Sequence, residues 1–215
     1  MKLVNLAVGT PQHLSYHGTK KMKTGIQKES VQEVYLSVDG FELDDVADKQ
    51  HHGGRDRAVC VYPHEHYAFW EKEFGKKLEK AAFGENVTAA GMTEKDVCIG
   101  DQFQIGDAVI EVTQSRIPCD TVNKRNKLPQ LLKRMIETGY TGFLCRVLKE
   151  GYVREESEIE KVFTHPDDIK LSFTHSVYFE HPGAVEAMKE ITAVDALAAN
   201  WRTKLQNRIE KAGMK

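Results

Sequence analysis

Short β-strands separated by turn residues dominate residues 1–162, and this pattern restricts the possible fold more than any other feature of the chain. Apolar side chains recur at Val34, Leu36 and Val38, which is the period of a half-buried strand. Gly106-Asp107 separates two further β-favouring runs and predicts a tight hairpin. Many short strands at close spacing are typical of a β-barrel or a β-sandwich, and they argue against alternating strands and helices.

Two helices are predicted to interrupt the strands, because apolar side chains there follow helical spacing. One helix follows Pro63 and ends at Gly75, and the other follows Pro129 and ends at Gly139. The aromatic side chains in them are most simply interpreted as core residues.

The last part of the chain reads as helical. An apolar stripe recurs every fourth residue at Leu197, Trp201, Leu205 and Ile209, and Thr192 with Asp195 forms a capping-box pattern. We therefore predict a mainly β fold in two domains, a barrel with a few helices over residues 1–162 and a small helical domain over residues 163–215. The helical domain is too small to hold a large core alone, so we expect it to dock on the barrel or on a partner.

Composition excludes several classes of function. The 215 residues carry a formal net charge of −2, so we expect neither nucleic acid nor an anionic membrane as a partner. The sequence has no apolar run of membrane-spanning or signal-peptide length, and its four cysteines form no CxxC pair. These features predict a cytoplasmic protein with reduced thiols.

Cys119 is the first candidate for chemistry. A thiol acts as nucleophile or metal ligand only as thiolate, and nearby cations such as Arg116 and Lys124 favour that form. Asp120 follows directly and offsets part of this charge. The alternative is that Cys119 is a small buried hydrophobe, as many free cysteines are. Core positions are also the expectation for the other three cysteines, which are Cys60, Cys98 and Cys145.

A glycine pair between histidines and arginines is the second candidate. Gly53-Gly54 lets backbone N–H groups approach an anion closely, and the flanking side chains add hydrogen-bond donors and positive charge. The flanking residues are His51, His52, Arg55, Asp56 and Arg57. A zinc site that includes His64 and His66 is a weaker alternative, since adjacent histidines rarely chelate one ion well.

A polar turn is the third candidate. Glu85, Asn86 and Thr88 offer a carboxylate, an amide and a hydroxyl within one short segment. Taken alone, the segment is equally consistent with a loop that caps its own backbone.

Three segments in a fixed order resemble one known family. They are DKQHHGGRDRAVCVYPHEHY, FGENVTAAGMTEKDVCIGDQFQIG and EVTQSRIPC. In this order and spacing, residues 25–162 resemble the MOSC family, named for the C-terminal domain of molybdenum cofactor sulfurase. The tail resembles the three-helix C-terminal domain of the YiiM-type subgroup.

The resemblance implies a β-barrel with Cys119 as its functional residue. It implies that Cys119 ligates the molybdenum of a pterin cofactor (Mo-molybdopterin), because a thiolate is a soft ligand. The implied reaction is the reduction of N-hydroxylated bases and related compounds, a detoxification that releases the N–OH oxygen as water. The implied cofactor-binding residues are His51, His52, Gly53, Gly54, Arg55, Asp56, Arg57, Glu85, Asn86, Thr88, Gln114 and Arg116.

Electrons for this reaction would come from a separate reductase, since no flavin or iron–sulfur motif is present. The resemblance also allows a sulfur carrier that holds a persulfide on Cys119, supplied by a pyridoxal-phosphate-dependent cysteine desulfurase. A third hypothesis is an interaction module whose helical tail binds a redox partner.

Overall fold

The computed structural model describes residues 1–16, 18–49 and 53–213, and most of its regular structure is sheet. Within these ranges the strands are β1 (Lys2–Val8), β2 (Gln12–Tyr16), β3 (Lys20–Thr24), β4 (Glu29–Ser30), β5 (Glu33–Ser37), β6 (Gly40–Phe41), β7 (Val59–Pro63), β8 (Val87–Ala90), β9 (Gln102–Ile105), β10 (Ala108–Ser115), β11 (Phe143–Lys149), β12 (Gly151–Arg154) and β13 (Ile159–Phe163). The helices are α1 (Glu65–Phe74), α2 (Thr121–Asn126), α3 (Leu131–Thr138), α4 (Leu171–Phe179), α5 (Val185–Ala193) and α6 (Ala199–Gly213), and a 3₁₀ turn spans Arg55–Arg57.

The main sheet has eight strands in the order β13-β9-β10-β11-β7-β8-β1-β4. Its neighbours run antiparallel except β7 and β8, which are parallel. An isolated bridge joins Lys2 of β1 to Glu158, just before β13, so the sheet curls until opposite ends approach each other. The strand-rich fold with a helical tail is therefore confirmed, as a curled half-barrel sheet.

Local turn signals place several elements as predicted. The hairpin between β9 and β10 turns at Gly106, with a φ of 58°. Helices α1 and α3 end at Gly75 and Gly139, whose φ values of 59° and 74° are left-handed. None of the described helices has the length and apolarity needed to cross a membrane.

The two faces of the sheet contact different cores. One core holds Val59, Val61 and Phe143 of the sheet together with tail residues such as Trp201 and Leu205. The second core lies under α1 to α3 and is built around Tyr62, Trp70, Phe83, Val122, Leu131 and Met135. Both faces of the central strands are therefore covered.

The tail docks on the sheet at the end of β10. Ala198 N donates to Thr113 O at 3.0 Å, and Ser115 Oγ donates to Leu171 O at 2.9 Å. The capping-box prediction was wrong, because Thr192 lies inside α5 and its hydroxyl donates to Lys189 O at 3.0 Å. The boundary between residues 162 and 163 stays a prediction.

Candidate functional site

A row of side chains crosses one face of the sheet toward the second core. Leu144 of β11 pairs in register with Gln114 of β10 and with Cys60 of β7. Directly opposed residues on neighbouring strands point to the same face, so these three side chains lie side by side. The adjacent residues Val59 and Phe143 point to the opposite face and enter the first core.

Arg116 lies at the centre of the site. Its backbone N donates to Gly142 O at 3.0 Å, and its Nη2 donates to Phe83 O at 2.7 Å. Its Nη1 donates to Cys60 Sγ at 3.5 Å. Burial is the largest influence on the pKa of Arg116 and lowers it, but nearby groups that can carry negative charge outweigh it and raise the pKa. Those groups are Cys60, Cys119, Glu85 and Tyr62.

Cys119 is half-buried in the segment between β10 and α2. The neighbouring carboxylate of Asp120 forms an ion pair with Lys124, with 2.9 Å between Nζ and Oδ2. This pair is the largest cause of the raised pKa of Lys124, to which Cys119 also contributes. Much of the acidic charge beside Cys119 is therefore balanced locally, and the half-buried Arg116 is the cation next to this thiol.

Cys60 corrects a prediction, because it is half-buried beside Arg116 and not enclosed in the core. Burial raises the pKa of the Cys60 thiol, while the Arg116 guanidinium opposes that rise. Cys145 and Cys98 are buried, as predicted. The structure thus gives Arg116 two neighbouring thiols, where sequence analysis expected one.

A buried ion pair between Lys28 and Asp44 also belongs to this region and was missed by sequence analysis. The Lys28 side chain is only 5% exposed, and Asp44 Oδ1 also accepts from Gly9 N at 2.8 Å. Both charges influence the pKa of Cys60, which Lys28 lowers and Asp44 raises. Both residues lie outside regular secondary structure, so no periodicity could have signalled them.

The glycine pair leads into the 3₁₀ turn. Gly54 has a φ of 105°, and a Cβ there would meet open space. A Cβ on Gly53 would lie 2.7 Å from Lys49 O, so only glycine fits this close approach. The predicted ligands His51 and His52 lie outside the described residues.

The 3₁₀ turn directs its three side chains to different places. Arg55 Nε donates to Asp39 Oδ1 at 3.0 Å on the surface. The Asp56 carboxylate joins Arg146 at 2.8 Å and accepts from Ala199 N at 2.9 Å. Burial lowers the pKa of Arg57, and the negative charge of Asp56 opposes that shift. Of the two arginines in this turn, Arg57 is partly buried and Arg55 is exposed.

The predicted polar turn lies next to Arg116 but its side chains serve internal hydrogen bonds. The buried Glu85 accepts from Tyr67 Oη at 2.5 Å, from Phe83 N at 3.1 Å and from Thr88 Oγ1 at 2.9 Å. Asn86 Oδ1 accepts from Cys60 N at 3.1 Å, which fixes the strand that carries this thiol. Burial and the Glu85 charge raise the pKa of Tyr67.

Gln114 supplies an unused acceptor. It is 2% exposed, and its Oε1 has no hydrogen-bond partner within the described ranges, while its Nε2 donates to Ser115 O at 3.3 Å. A buried acceptor without a donor is costly unless a ligand or water satisfies it. The residues present therefore fit a ligand that combines N–H donors, negative charge and a soft metal. No cluster of three or more His, Cys, Asp or Glu side chains that could hold a metal ion occurs among the described residues.

Comparisons with known proteins agree with this architecture. A family model described as the MOSC domain matches residues 48–160, and one described as the YiiM-like, 3-alpha helix domain matches residues 171–212. The chain is 40% identical over 210 residues to the uncharacterized protein YflK of Bacillus subtilis, covering 97% of this chain and 95% of that protein.

A solved structure and a further relative extend the comparison. The crystal structure of YiiM from Geobacillus stearothermophilus superposes with a TM-score of 0.82 at 32% identity, covering 97% of this chain and 98% of that one. A reductase of Gibberella moniliformis is 40% identical over 124 residues, which are 56% of this chain and 22% of that protein. The family-model match spans more than half of the sequence, and the chain therefore belongs to the MOSC-domain family, with a YiiM-like three-helix domain following its curled sheet.

Proposed function

We propose that this protein binds a molybdenum cofactor and reduces N-hydroxylated small molecules, including N-hydroxylated bases. The observation that carries the proposal is the half-buried Arg116 guanidinium beside the thiols of Cys60 and Cys119. A nearby cation favours thiolate, and thiolate is a soft metal ligand. The association of MOSC domains with this cofactor and the similarity to a reductase point the same way.

Three residues would hold the cofactor. Cys119 would provide the thiolate ligand, and Gln114 Oε1 would accept from an N–H group of the pterin. Arg116 would face its negative charge, whereas Lys28 is already paired with Asp44. When bound, the cofactor supplies the two-electron redox chemistry.

The chain's own residues prepare that reaction. Arg116 stabilises negative charge at Cys119 Sγ, and Glu85 and Asn86 keep the surrounding strands in place. The net change is R–NHOH with two electrons and two protons, giving R–NH2 and water. The electrons come from a separate reductase, and the protons come from solvent.

Molybdenum and pterin content of the purified protein tests the proposal. We expect near-stoichiometric molybdenum in the wild type and its loss in Cys119→Ala, since that variant lacks the soft ligand. Cys98→Ala is the matched control, because Cys98 is a buried thiol that contacts Asp168. Absence of molybdenum from the wild type, in cells that make the cofactor, would refute the proposal.

A sulfur carrier is the second candidate function, and the proximity of Cys60 to the guanidinium beside Cys119 favours it. A persulfide on Cys119 could react with the Cys60 thiol to give a disulfide and hydrogen sulfide, which balances both sulfur and electrons. This function predicts a persulfide on Cys119 after incubation with a pyridoxal-phosphate-dependent cysteine desulfurase, detected by mass spectrometry. It also predicts persulfide accumulation in Cys60→Ser.

A further inference from the structure

A strongly cationic groove lies beyond the site, between the end of α1, the helix α2 and strand β2. Its volume is about 370 Å³. Five cationic side chains and one carboxylate, Glu79, are among its lining residues, although the whole chain carries a net charge of −2. The cationic residues are Lys76, Lys77, Lys124, Arg125 and Lys127.

Ion pairs within the protein neutralise three of these five cations. Lys77 pairs with Glu71 at 2.8 Å, and Arg125 pairs with Glu79 at 2.7 Å. Lys124 pairs with Asp120, as described above. These three cations therefore already have carboxylate partners.

The other two cations form no ion pair with a described carboxylate. Lys76 Nζ donates to a neutral carbonyl, Asn126 O, at 2.6 Å, and Lys127 makes no ion pair with any described residue. In addition, the buried Nε of Arg125 has no acceptor within the described part of the chain. The Glu79 carboxylate interacts electrostatically with both lysines while it is paired with Arg125, so the five cations share three carboxylates and the groove keeps an excess of positive charge.

The groove adjoins the catalytic candidate. Lys124 lines it and belongs to α2, which begins two residues after Cys119. The pKa of Lys124 is raised chiefly by Asp120 and also by Cys119, so its ammonium lies within electrostatic range of that thiol. Lys124 thus connects the groove to the segment that carries Cys119.

We infer that the groove binds the phosphate of a phosphorylated substrate, so that the preferred substrates are nucleoside monophosphates of N-hydroxylated bases. This inference rests on the proposed reductase function. The groove has the volume of a small-molecule pocket, which suits a phosphate ester better than the broad face of a protein partner. Lysine and arginine donors favour phosphate because charge-assisted hydrogen bonds are the stronger kind.

Binding of two unreactive probes tests the inference independently of turnover. We expect calorimetric titration of the cofactor-loaded protein to show that adenosine 5′-monophosphate binds roughly tenfold more tightly than adenosine, as one charge-assisted hydrogen bond provides. That preference should fall as salt increases, because exposed charges are screened. Equal binding of the two probes would overturn the inference and leave the reductase proposal standing.

Two double variants distinguish an effect of the groove lysines from an effect of the protein's net charge. Lys76→Gln with Lys127→Asn removes the two cations that form no ion pair with a described residue, and asparagine tolerates the left-handed φ of 54° at residue 127. We expect this variant to lose the preference for the monophosphate and to bind adenosine as the wild type does. Lys149→Gln with Lys211→Gln changes the net charge equally outside the groove and should keep the preference.

Two further outcomes would contradict the inference. One is an unchanged preference in the groove variant. The other is monophosphate binding to cofactor-free protein that disappears after cofactor loading, which would assign the groove to the phosphate of the cofactor itself.

Discussion

The Arg116 guanidinium contacts residues of the site that are far apart in the sequence. It donates to a carbonyl at residue 83 and to a thiol at residue 60, and its pKa responds to Cys119. Arginine suits this place better than lysine, since its planar fork can reach several acceptors at once and stays charged when buried.

The charge of Arg116 should control the reactivity of Cys60. Burial raises the pKa of this thiol and Arg116 lowers it, so Arg116→Gln should raise the pKa further and reduce the thiolate fraction at neutral pH. Rates of iodoacetamide modification at Cys60, followed by mass spectrometry between about pH 7 and about pH 10, would then show a midpoint at higher pH.

The companion variant Arg116→Lys retains a positive charge and should keep the midpoint near that of the wild type. Arg134→Gln removes a surface arginine paired with Glu73 and Glu137, and it should have no effect on Cys60. If Arg116→Gln left the midpoint unchanged, the guanidinium would not govern this thiol.

Sequence identified Cys119 and Arg116 as neighbours in the chain, but it placed Cys60 in the core. The reason is physical. Both faces of β7 are covered, so the alternation of its side chains marks a strand without showing which face meets the site. Only the register of Leu144 against Cys60 and Gln114 resolves this, and that register depends on contacts far apart in sequence.

At the scale of elements, the sequence predicted helix ends and hairpin turns correctly where a single glycine determines them. Gly75, Gly106 and Gly139 adopt left-handed conformations and lie where the sequence predicted ends and turns. The tail shows the limit, since α6 begins at Ala199 although the pattern around Thr192 suggested an earlier start. A tertiary contact, Ala199 N donating to Asp56, marks that start instead.

Asp56 should therefore act as a structural link between the 3₁₀ turn, β11 and α6. Asp56→Asn weakens the ion pair with Arg146 and should lower the free energy of unfolding by about 1–2 kcal/mol, as for a partly exposed charged hydrogen bond. Urea unfolding measures this change. Molybdenum content per folded molecule should stay at the wild-type level.

Asp39→Asn is the matched control, because Asp39 pairs with Arg55 of the same turn on the exposed surface. It should change the unfolding free energy by less than about 0.5 kcal/mol. Loss of molybdenum in folded Asp56→Asn protein would instead give this carboxylate a direct role in cofactor binding.

For the whole molecule, the main consequence of the fold is that sheet and tail share one hydrophobic core. Trp201 and Leu205 of α6 belong to the same cluster as Val59 and Phe143 of the sheet. The apolar stripe predicted in the tail is thus covered by the chain itself, which leaves less support for an interaction module that uses this stripe.

The shared core predicts that sheet and tail unfold together. Trp201 is fully buried and its ring lies 5.0 Å from that of Tyr178, so Trp201→Ala should lower the free energy of unfolding by about 3–5 kcal/mol. Urea unfolding followed by circular dichroism and by tail-specific proteolysis should give one coincident transition in both proteins. Ile209→Ala, at the less buried end of the stripe, should cost less. If the tail were released at lower urea than the sheet, the two would be separate folding units, and the site beside β10 would not need the tail for its stability.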